Sequence, residues 1–216
     1  GLQAINGVLD LSDLKIDDKN VIELDGEWEF YPNALLKPEE INKDSTKTYI
    51  KVPSNWTSTL NKDKISADGS GTYRLIVKVP EDRMYAIKTN SIRSAAIIYL
   101  NGYKAARMGT TSLSRDNFHR DSKFMVVTVS SQNHEIEIII HVSNFDQETG
   151  GIIKSIKFGS SDAIMYQHSK SLILDTVTFS ISLILSIFFM ILYIQQKEES
   201  HFKYFALANF FMAVFS

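Results

Sequence analysis

Residues 134–144, HEIEIIIHVSN, alternate apolar and polar side chains with the period of two that a β-strand produces. The row that this pattern predicts to face a core consists of Ile136, Ile138, Ile140 and Val142. The opposite row, which the pattern predicts to face solvent, consists of Glu135, Glu137 and His141. A strand with one apolar face and one polar face is typical of an antiparallel sheet.

Other short runs of the first 160 residues repeat this pattern between clusters of turn residues. Residues 72–80, TYRLIVKVP, alternate in the same way and end at Pro80. Residues 94–103, SAAIIYLNGY, contain an Asn-Gly pair that predicts a hairpin turn. Only a short helix around Pro38 is indicated before residue 160. The sequence therefore predicts an all-β jelly roll or β-sandwich for residues 1–160.

The segment LDGEWEF, residues 24–30, places two glutamates after an Asp-Gly turn and among large apolar residues. Alternation predicts that Leu24, Trp28 and Phe30 pack in the core. Glu27 and Glu29 then face outward, and we interpret them as solvated charges. An acid and base pair would require a substrate cleft between the two carboxylates.

A second part of the chain has the composition of a membrane segment. Residues 176–194 contain no charged side chain, and as a helix they would extend about 28 Å, close to the hydrocarbon thickness of a bilayer. We predict a helical connector at 161–171 that begins near Asp162 and a transmembrane helix at 172–194. The alternative is a buried core helix.

The residues after this helix predict a return into the membrane. A polar loop at 195–201 precedes an apolar stretch at 202–216, which we interpret as the start of a second transmembrane helix. Lys197 and Lys203 favour a cytoplasmic loop, which would leave the β domain extracellular. No signal peptide is visible after Gly1, so a targeting segment is expected to have been removed or omitted.

Composition excludes several classes of function. A net charge of -2 argues against a nucleic-acid partner, and the lack of cysteine excludes disulfides, thiolate metal sites and a cysteine nucleophile. The five histidines show no metal-ligand spacing, and there is no calcium-loop pattern, although Asp68 or Asp146 could contribute to a structural calcium site. We expect no cofactor and no catalytic centre in this segment.

Loops at the end of a sandwich are the predicted ligand site, because such loops often carry function. Trp56 follows a strand end and could stack on a sugar, although a hydrophobic plug is the alternative. Arg115 and His119 lie in a polar loop whose guanidinium groups suit a sugar or a carboxylate; a solvated loop is the alternative. The predicted ligand-facing residues are Trp56, Arg107, Arg115, His119, Asn144 and Gln147.

The order of five segments, LDGEWEF, KVPSNW, GTYRLIVKVP, IYLNGY and HEIEIIIHVSN, resembles the galactose-binding-like jelly roll of family 2 glycoside hydrolases. With the later TGGIIKSIKFG and ILYIQQKEESHFKYFALANFF, the chain more closely resembles bacterial seven-transmembrane receptors with diverse intracellular signalling modules.

The receptor resemblance implies an extracellular sensor of a carbohydrate or another small molecule. The membrane helices would pass the signal to a histidine kinase, cyclase or phosphatase module, as in two-component systems. Two alternatives stay open at this point. They are a membrane-anchored carbohydrate-binding module without signalling and a non-catalytic domain of a glycoside hydrolase. The effector and the oligomeric state, a homodimer included, are left undecided.

Overall fold

The computed structural model describes residues 2–42, 45–59, 68–89, 94–121, 124–195 and 201–215. The chain divides into two compact units, Gly1–Ile164 and Met165–Ser216. The strands are β1 (Val8–Asp10), β2 (Val21–Glu23), β3 (Gly26–Pro32), β4 (Thr48–Val52), β5 (Gly69–Lys78), β6 (Met84–Thr89), β7 (Ala95–Leu100), β8 (Tyr103–Met108), β9 (Met125–Ser130), β10 (Glu135–Asn144) and β11 (Lys157–Ser160). The helices are α1 (Trp56–Thr59), α2 (Ser161–Gln195) and α3 (His201–Phe215), with 3-10 turns at Pro38–Glu40 and Arg115–Asn117.

The strands of the first unit form two sheets. The large sheet has the order β4-β3-β5-β10-β7-β8, and β1 pairs with β5 in parallel while the other pairs are antiparallel. The small sheet has the order β2-β11-β6-β9. One apolar cluster contains side chains of both sheets, so the unit is a two-layer β-sandwich with its core between the sheets. The β-sandwich prediction for this part of the chain is confirmed.

The alternating strands place their apolar rows in this core. Ile136, Ile138, Ile140 and Val142 are all fully buried. Trp28 and Phe30 are buried as well, and the indole N–H of Trp28 donates to the Leu24 carbonyl at 2.9 Å. The Asn101–Gly102 hairpin forms as predicted, with both residues at positive φ, which matches the turn to the twist of β7 and β8.

The outer face of the large sheet differs from the prediction, because part of it is covered. Residues 34–36 cross this face, where the Thr72 hydroxyl donates to the Ala34 carbonyl at 2.8 Å and accepts from the Leu36 N–H at 3.0 Å. His141, predicted to face solvent, is 3% exposed and its Nε2 donates to the Leu36 carbonyl at 2.6 Å. Burial lowers the pKa of His141.

Glu29 also differs from the prediction of a solvated charge. Its side chain is 8% exposed, and its carboxylate accepts from Lys47, from Arg74 at 3.0 Å and from the Tyr31 hydroxyl at 3.0 Å. Burial by itself would raise the pKa of Glu29, but the hydrogen bonds from Lys47 and Arg74 outweigh it and hold the pKa below its usual value. Glu27 is exposed, as predicted.

The second unit is helical. Helix α2 is uninterrupted from Ser161 to Gln195, so the predicted connector and first span are one helix. By length and composition it could cross a membrane, and it is the one described helix with that property. Within the unit, the Ser186 hydroxyl donates to the Ala206 carbonyl of α3 at 2.9 Å, and Phe189 packs against Phe202 and Phe205.

The prediction of several transmembrane helices is not reproduced. Helix α3 covers most of the stretch at 202–216 that the sequence predicts to be the start of a second span. It remains apolar, as the sequence indicates. The predicted cytoplasmic loop at 195–201 falls largely on residues 196–200, which lie outside the described residues.

Candidate functional site

Three segments meet at one end of the large sheet: the start of β5, the loop after β8 and the loop after β10. We call this region the loop end and define it by residues 68–70, 109–121 and 143–149. Serine side chains join the segments. The Ser70 hydroxyl donates to the Ser143 hydroxyl at 2.9 Å, and Ser143 in turn accepts from the Ser112 N–H at 3.0 Å. The predicted clustering of loops is therefore present.

Arg115 forms the polar centre of the loop end. Its guanidinium donates to Asp68 at 2.9 Å and to Asp146 at 3.4 Å. The three side chains are 59%, 49% and 47% exposed in the order Arg115, Asp68 and Asp146. One cation and two carboxylates therefore stand in solvent, where they can exchange these bonds for bonds to a ligand.

The long loop that carries Arg115 is fixed at both ends. Thr110 and His119 exchange backbone hydrogen bonds of 2.7 and 3.2 Å, and Arg107 donates to the Gly109 carbonyl and the Thr110 hydroxyl. Phe118 packs edge-on against Phe145 with ring centroids 5.4 Å apart. Arg107 and His119 are both exposed to solvent.

The Asn144 side chain is buried and holds the loop after β10 instead of facing solvent. It is fully buried, its amide donates to the Gln147 carbonyl at 2.9 Å and its side-chain oxygen accepts from the Gln147 N–H at 3.2 Å. These bonds close the loop after β10 and present the half-buried Gln147 next to Asp146. The prediction that Asn144 faces a ligand is wrong for this conformation.

Trp56 likewise differs from the stacking prediction. It is 1% exposed and packs against Phe30, with ring centroids 6.1 Å apart. Its indole lies against Gly150, where a Cβ would overlap the ring, so the Gly-Gly pair in TGGIIKSIKFG makes room for this side chain. Trp56 is therefore the hydrophobic plug that the sequence offered as the alternative to a sugar platform.

Asp68 and Asp146 form ion pairs with Arg115 in this structure rather than a calcium site. The Arg115 guanidinium bridges them, and a cation between two carboxylates removes the negative charge that Ca²⁺ would require. Among the described residues no group of three or more metal-ligating side chains is present.

Sequence reasoning missed two features of the site region. It considered Asp68 or Asp146 as contributors to a structural calcium site but did not pair them with Arg115. It also missed the buried partners of Glu29, one of which is Tyr31. Burial and the negative charge of Glu29 raise the pKa of Tyr31 to about 12. The charges were visible in the sequence, but the partners lie in distant segments.

No family model matches the chain, and neither does any curated protein. Solved structures do. A family 2 β-galacturonidase from Eisenbergiella tayi bound to galacturonate is 11% identical with a TM-score of 0.46, and the match covers 69% of this chain and 26% of that one. A β-glucuronidase from an uncultured Clostridium species is 18% identical with a TM-score of 0.48, covering 66% and 29%. A calcium-binding mutant of Bacteroides uniformis β-glucuronidase 2 is 18% identical with a TM-score of 0.49, covering 64% and 18%.

The chain spans about a quarter of the length of the first of these enzymes. At these identities and TM-scores the likeness concerns the arrangement of the chain, and the activities of those enzymes are not carried over to this protein.

Proposed function

We propose that this chain is the extracellular recognition domain and first membrane segment of a bacterial transmembrane receptor. In this proposal the β-sandwich is a galactose-binding-like jelly roll, the loop end binds a carbohydrate, and α2 passes the bound state to a signalling module elsewhere in the protein. The segment itself is not an enzyme.

The observation that carries the proposal is the direct junction between the last strand and the apolar helix. Strand β11 ends at Ser160 and α2 begins at Ser161, with no linker between them. The Ser160 hydroxyl caps the helix by accepting from the Ala163 N–H at 3.0 Å. Ala163 and Ile164 are buried in the first unit, so the beginning of the helix is part of the folded domain.

This junction suits a receptor better than a passive anchor. A binding module that needs only attachment is served by a flexible linker, whereas a helix that starts inside the domain couples the position of β11 to the helix. Strand β11 pairs with β2 on one side and β6 on the other, so a rearrangement of the small sheet would displace it. A ligand drives such a shift only by binding the two arrangements unequally.

The exposed groups of the loop end fit a polyhydroxyl ligand. Arg115 and His119 offer donors, the carboxylates of Asp68 and Asp146 offer acceptors, and Gln147 offers both. A sugar hydroxyl can donate and accept, so it can bond to each of these groups. Their fixed spacing on closed loops reduces the ordering cost of binding.

Topology is tested by cysteine labelling, because the chain has no cysteine of its own. A membrane-impermeant maleimide applied to intact cells should label Glu39→Cys in the β domain. Lys203→Cys should react only after lysis. Labelling of both from outside, or recovery of the chain in the soluble fraction, would contradict the membrane arrangement.

Ligand recognition is tested by thermal shift of the full chain in nanodiscs against a panel of mono- and oligosaccharides. A saturable rise in melting temperature that Arg115→Ala reduces is expected. Arg120→Ala, an exposed arginine of the same loop, is the matched control and should keep the rise. An equal rise in the Arg115→Ala variant would remove the loop end as the ligand site.

Coupling is tested by inserting two glycines after Asp162 in the complete receptor. The insertion interrupts α2 without touching the loop end, so ligand binding should persist while the output of the signalling module no longer responds. An unchanged response would favour an anchored carbohydrate-binding module without signalling.

A further inference from the structure

A recess of about 560 Å³ lies at the edge of the large sheet, away from the loop end. Residues 3–5 form one wall, Tyr49 and Lys51 of β4 form the other, and Gly26 and Glu27 of β3 lie between them. We call it the edge recess. Its volume is within the range of about 300 to 1,000 Å³ that is common for small-molecule sites.

Strand register brings its polar groups to one face. Glu27 pairs with Lys51, and Glu29 pairs with Tyr49, so these four side chains lie on the outer face of β3 and β4. Ile50 and Val52 point into the core. The side chains that alternate with them, Tyr49 and Lys51, face outward and line the recess.

The N-terminal wall is fixed to β3 by backbone hydrogen bonds. The Ala4 N–H donates to the Asp25 carbonyl at 2.7 Å, and the Glu27 N–H donates to the Ala4 carbonyl at 2.8 Å. Gly26, at a φ of +126°, allows this approach, because a Cβ there would overlap the Ala4 backbone. The backbone of the N-terminal wall is therefore held in a defined position against β3.

The groups that line the recess match the needs of a sugar ring. Tyr49 is 40% exposed and Ile5 66% exposed, which gives an aromatic and an aliphatic surface. One Glu27 oxygen accepts from the Asn6 N–H at 3.3 Å, which orients the carboxylate. Among the described residues neither the other Glu27 oxygen nor the Lys51 ammonium has a hydrogen-bond partner, so one acceptor and one donor face the recess.

We propose that the edge recess is a second saccharide site that binds a neutral pyranose, with the ring on Tyr49 and hydroxyl groups between Glu27 and Lys51. A hydroxyl donates to the carboxylate and its neighbour accepts from the ammonium, so an adjacent diol satisfies both charges.

The charges of the recess indicate a neutral ligand. Glu27 and Lys51 balance each other, and the nearby Lys47 is bound to Glu29 while it lies 5.9 Å from the Tyr49 ring centroid. An anionic sugar would be repelled by the Glu27 carboxylate, and a cationic sugar would be repelled by the Lys51 ammonium. A diol leaves neither charge unpaired.

This site is separate from the loop end. Gly26 and Pro32 are the two ends of β3, and Pro32 pairs with Gly71 beside the loop end. The edge recess is at the Gly26 end, about 20 Å away along the strand. The inference goes beyond the proposed function and does not depend on the membrane or signalling role.

The test is saturation-transfer NMR on the full chain in nanodiscs, since glycoside detergents would themselves occupy a sugar site. The probes are methyl β-D-glucopyranoside, methyl β-D-galactopyranoside and the methyl glycoside of glucuronic acid. We expect at least one neutral probe to bind. Tyr49→Ala should weaken that binding about tenfold, while Tyr49→Phe should keep it within about threefold.

Two control variants test whether the binding is specific to the edge recess. Tyr103→Ala removes a 77% exposed tyrosine elsewhere on the same sheet and should leave binding unchanged. Lys104→Ala, which removes an exposed lysine of β8, should also leave it unchanged. Within the recess, Glu27→Gln and Lys51→Gln should each weaken binding, with the melting temperature unaltered.

Three results would overturn the proposal. They are no binding of any neutral probe at millimolar concentration, undiminished binding in the Tyr49→Ala variant, and binding of the glucuronide alone. Loss of binding in Arg115→Ala with retention in Tyr49→Ala would place the sugar at the loop end. That outcome would support the proposed function and refute the edge recess.

Discussion

Two regions of the β-sandwich contain the same chemical unit, one guanidinium between two carboxylates. On the outer face of the large sheet, Arg74 bonds Glu137 at 2.7 Å and Glu29 at 3.0 Å. At the loop end, Arg115 bonds Asp68 at 2.9 Å and Asp146 at 3.4 Å. The Arg74 side chain is 25% exposed and Glu29 8%, whereas all three members at the loop end are about half exposed.

The difference in burial gives the two arginine–carboxylate clusters different roles. The Glu29 carboxylate is largely shielded from water, so its charge depends on its partners and the cluster around Arg74 stabilises the fold. Around Arg115 water competes for every bond, so the unit contributes little to stability and its groups can turn to a ligand. The comparison implies that the Arg74 cluster is part of the scaffold and that the Arg115 cluster is available for recognition.

The largest expected effect is that of Arg74→Ala. It leaves the Glu29 carboxylate buried with Lys47 and Tyr31 as its remaining partners, and we expect a loss of about 2–4 kcal/mol in the free energy of unfolding. The measurement is chemical denaturation of the full chain in nanodiscs, followed by the two buried tryptophans. A loss below about 0.5 kcal/mol would show that the two arginine units do not differ as described.

The second expected effect depends on pH. The folded-state pKa of Glu29 lies below its usual value of 4.5, so its ionised form contributes stability above that value, and this contribution is lost as the pH falls through the folded pKa. Glu29→Gln lacks the charge and should cost about 1–3 kcal/mol near neutral pH.

The difference in unfolding free energy between wild type and Glu29→Gln should shrink when the pH is lowered from about 6 to about 3. Denaturation curves at several pH values measure it. Glu27→Gln, which removes an exposed carboxylate from the same face of β3, is the control variant. A constant difference for Glu29→Gln would mean that its charge does not stabilise the fold.

The smallest effect on stability is expected from Arg115→Ala. An exposed guanidinium between exposed carboxylates contributes about 0 to 1 kcal/mol, and its removal should leave the denaturation midpoint nearly unchanged. The same variant should reduce the carbohydrate-induced thermal shift. A large loss of stability together with retained binding would reverse the roles assigned to the two units.

Prediction from the sequence succeeded where a property depends on neighbouring residues. The apolar rows of β5 and β10, the Asn101–Gly102 turn and the start of α2 all follow from local periodicity or local turn and cap chemistry. It failed for Trp56 and Asn144, which were placed in a ligand site because they follow strand ends. A strand end can lie at the surface or beneath a loop, and the sequence does not distinguish the two.

The sequence by itself determined that the chain contains alternating strands with one apolar face, followed by an apolar helix long enough to cross a membrane. It also determined which side of each strand a residue occupies. The tertiary structure decided which segment covers the other side. Residues 34–36 bury His141, and Arg74 reaches Glu29 from 45 positions away.

The physical reason is that alternation is a property of one strand, whereas burial of a polar outer face depends on strand order and on the path of loops. Glu27 and Glu29 have the same pattern, on the same face of β3 and two residues apart. Glu27 is exposed at the edge recess, whereas Glu29 is enclosed by Lys47, Arg74 and Tyr31. That difference is set by which strands and loops pack beside each position.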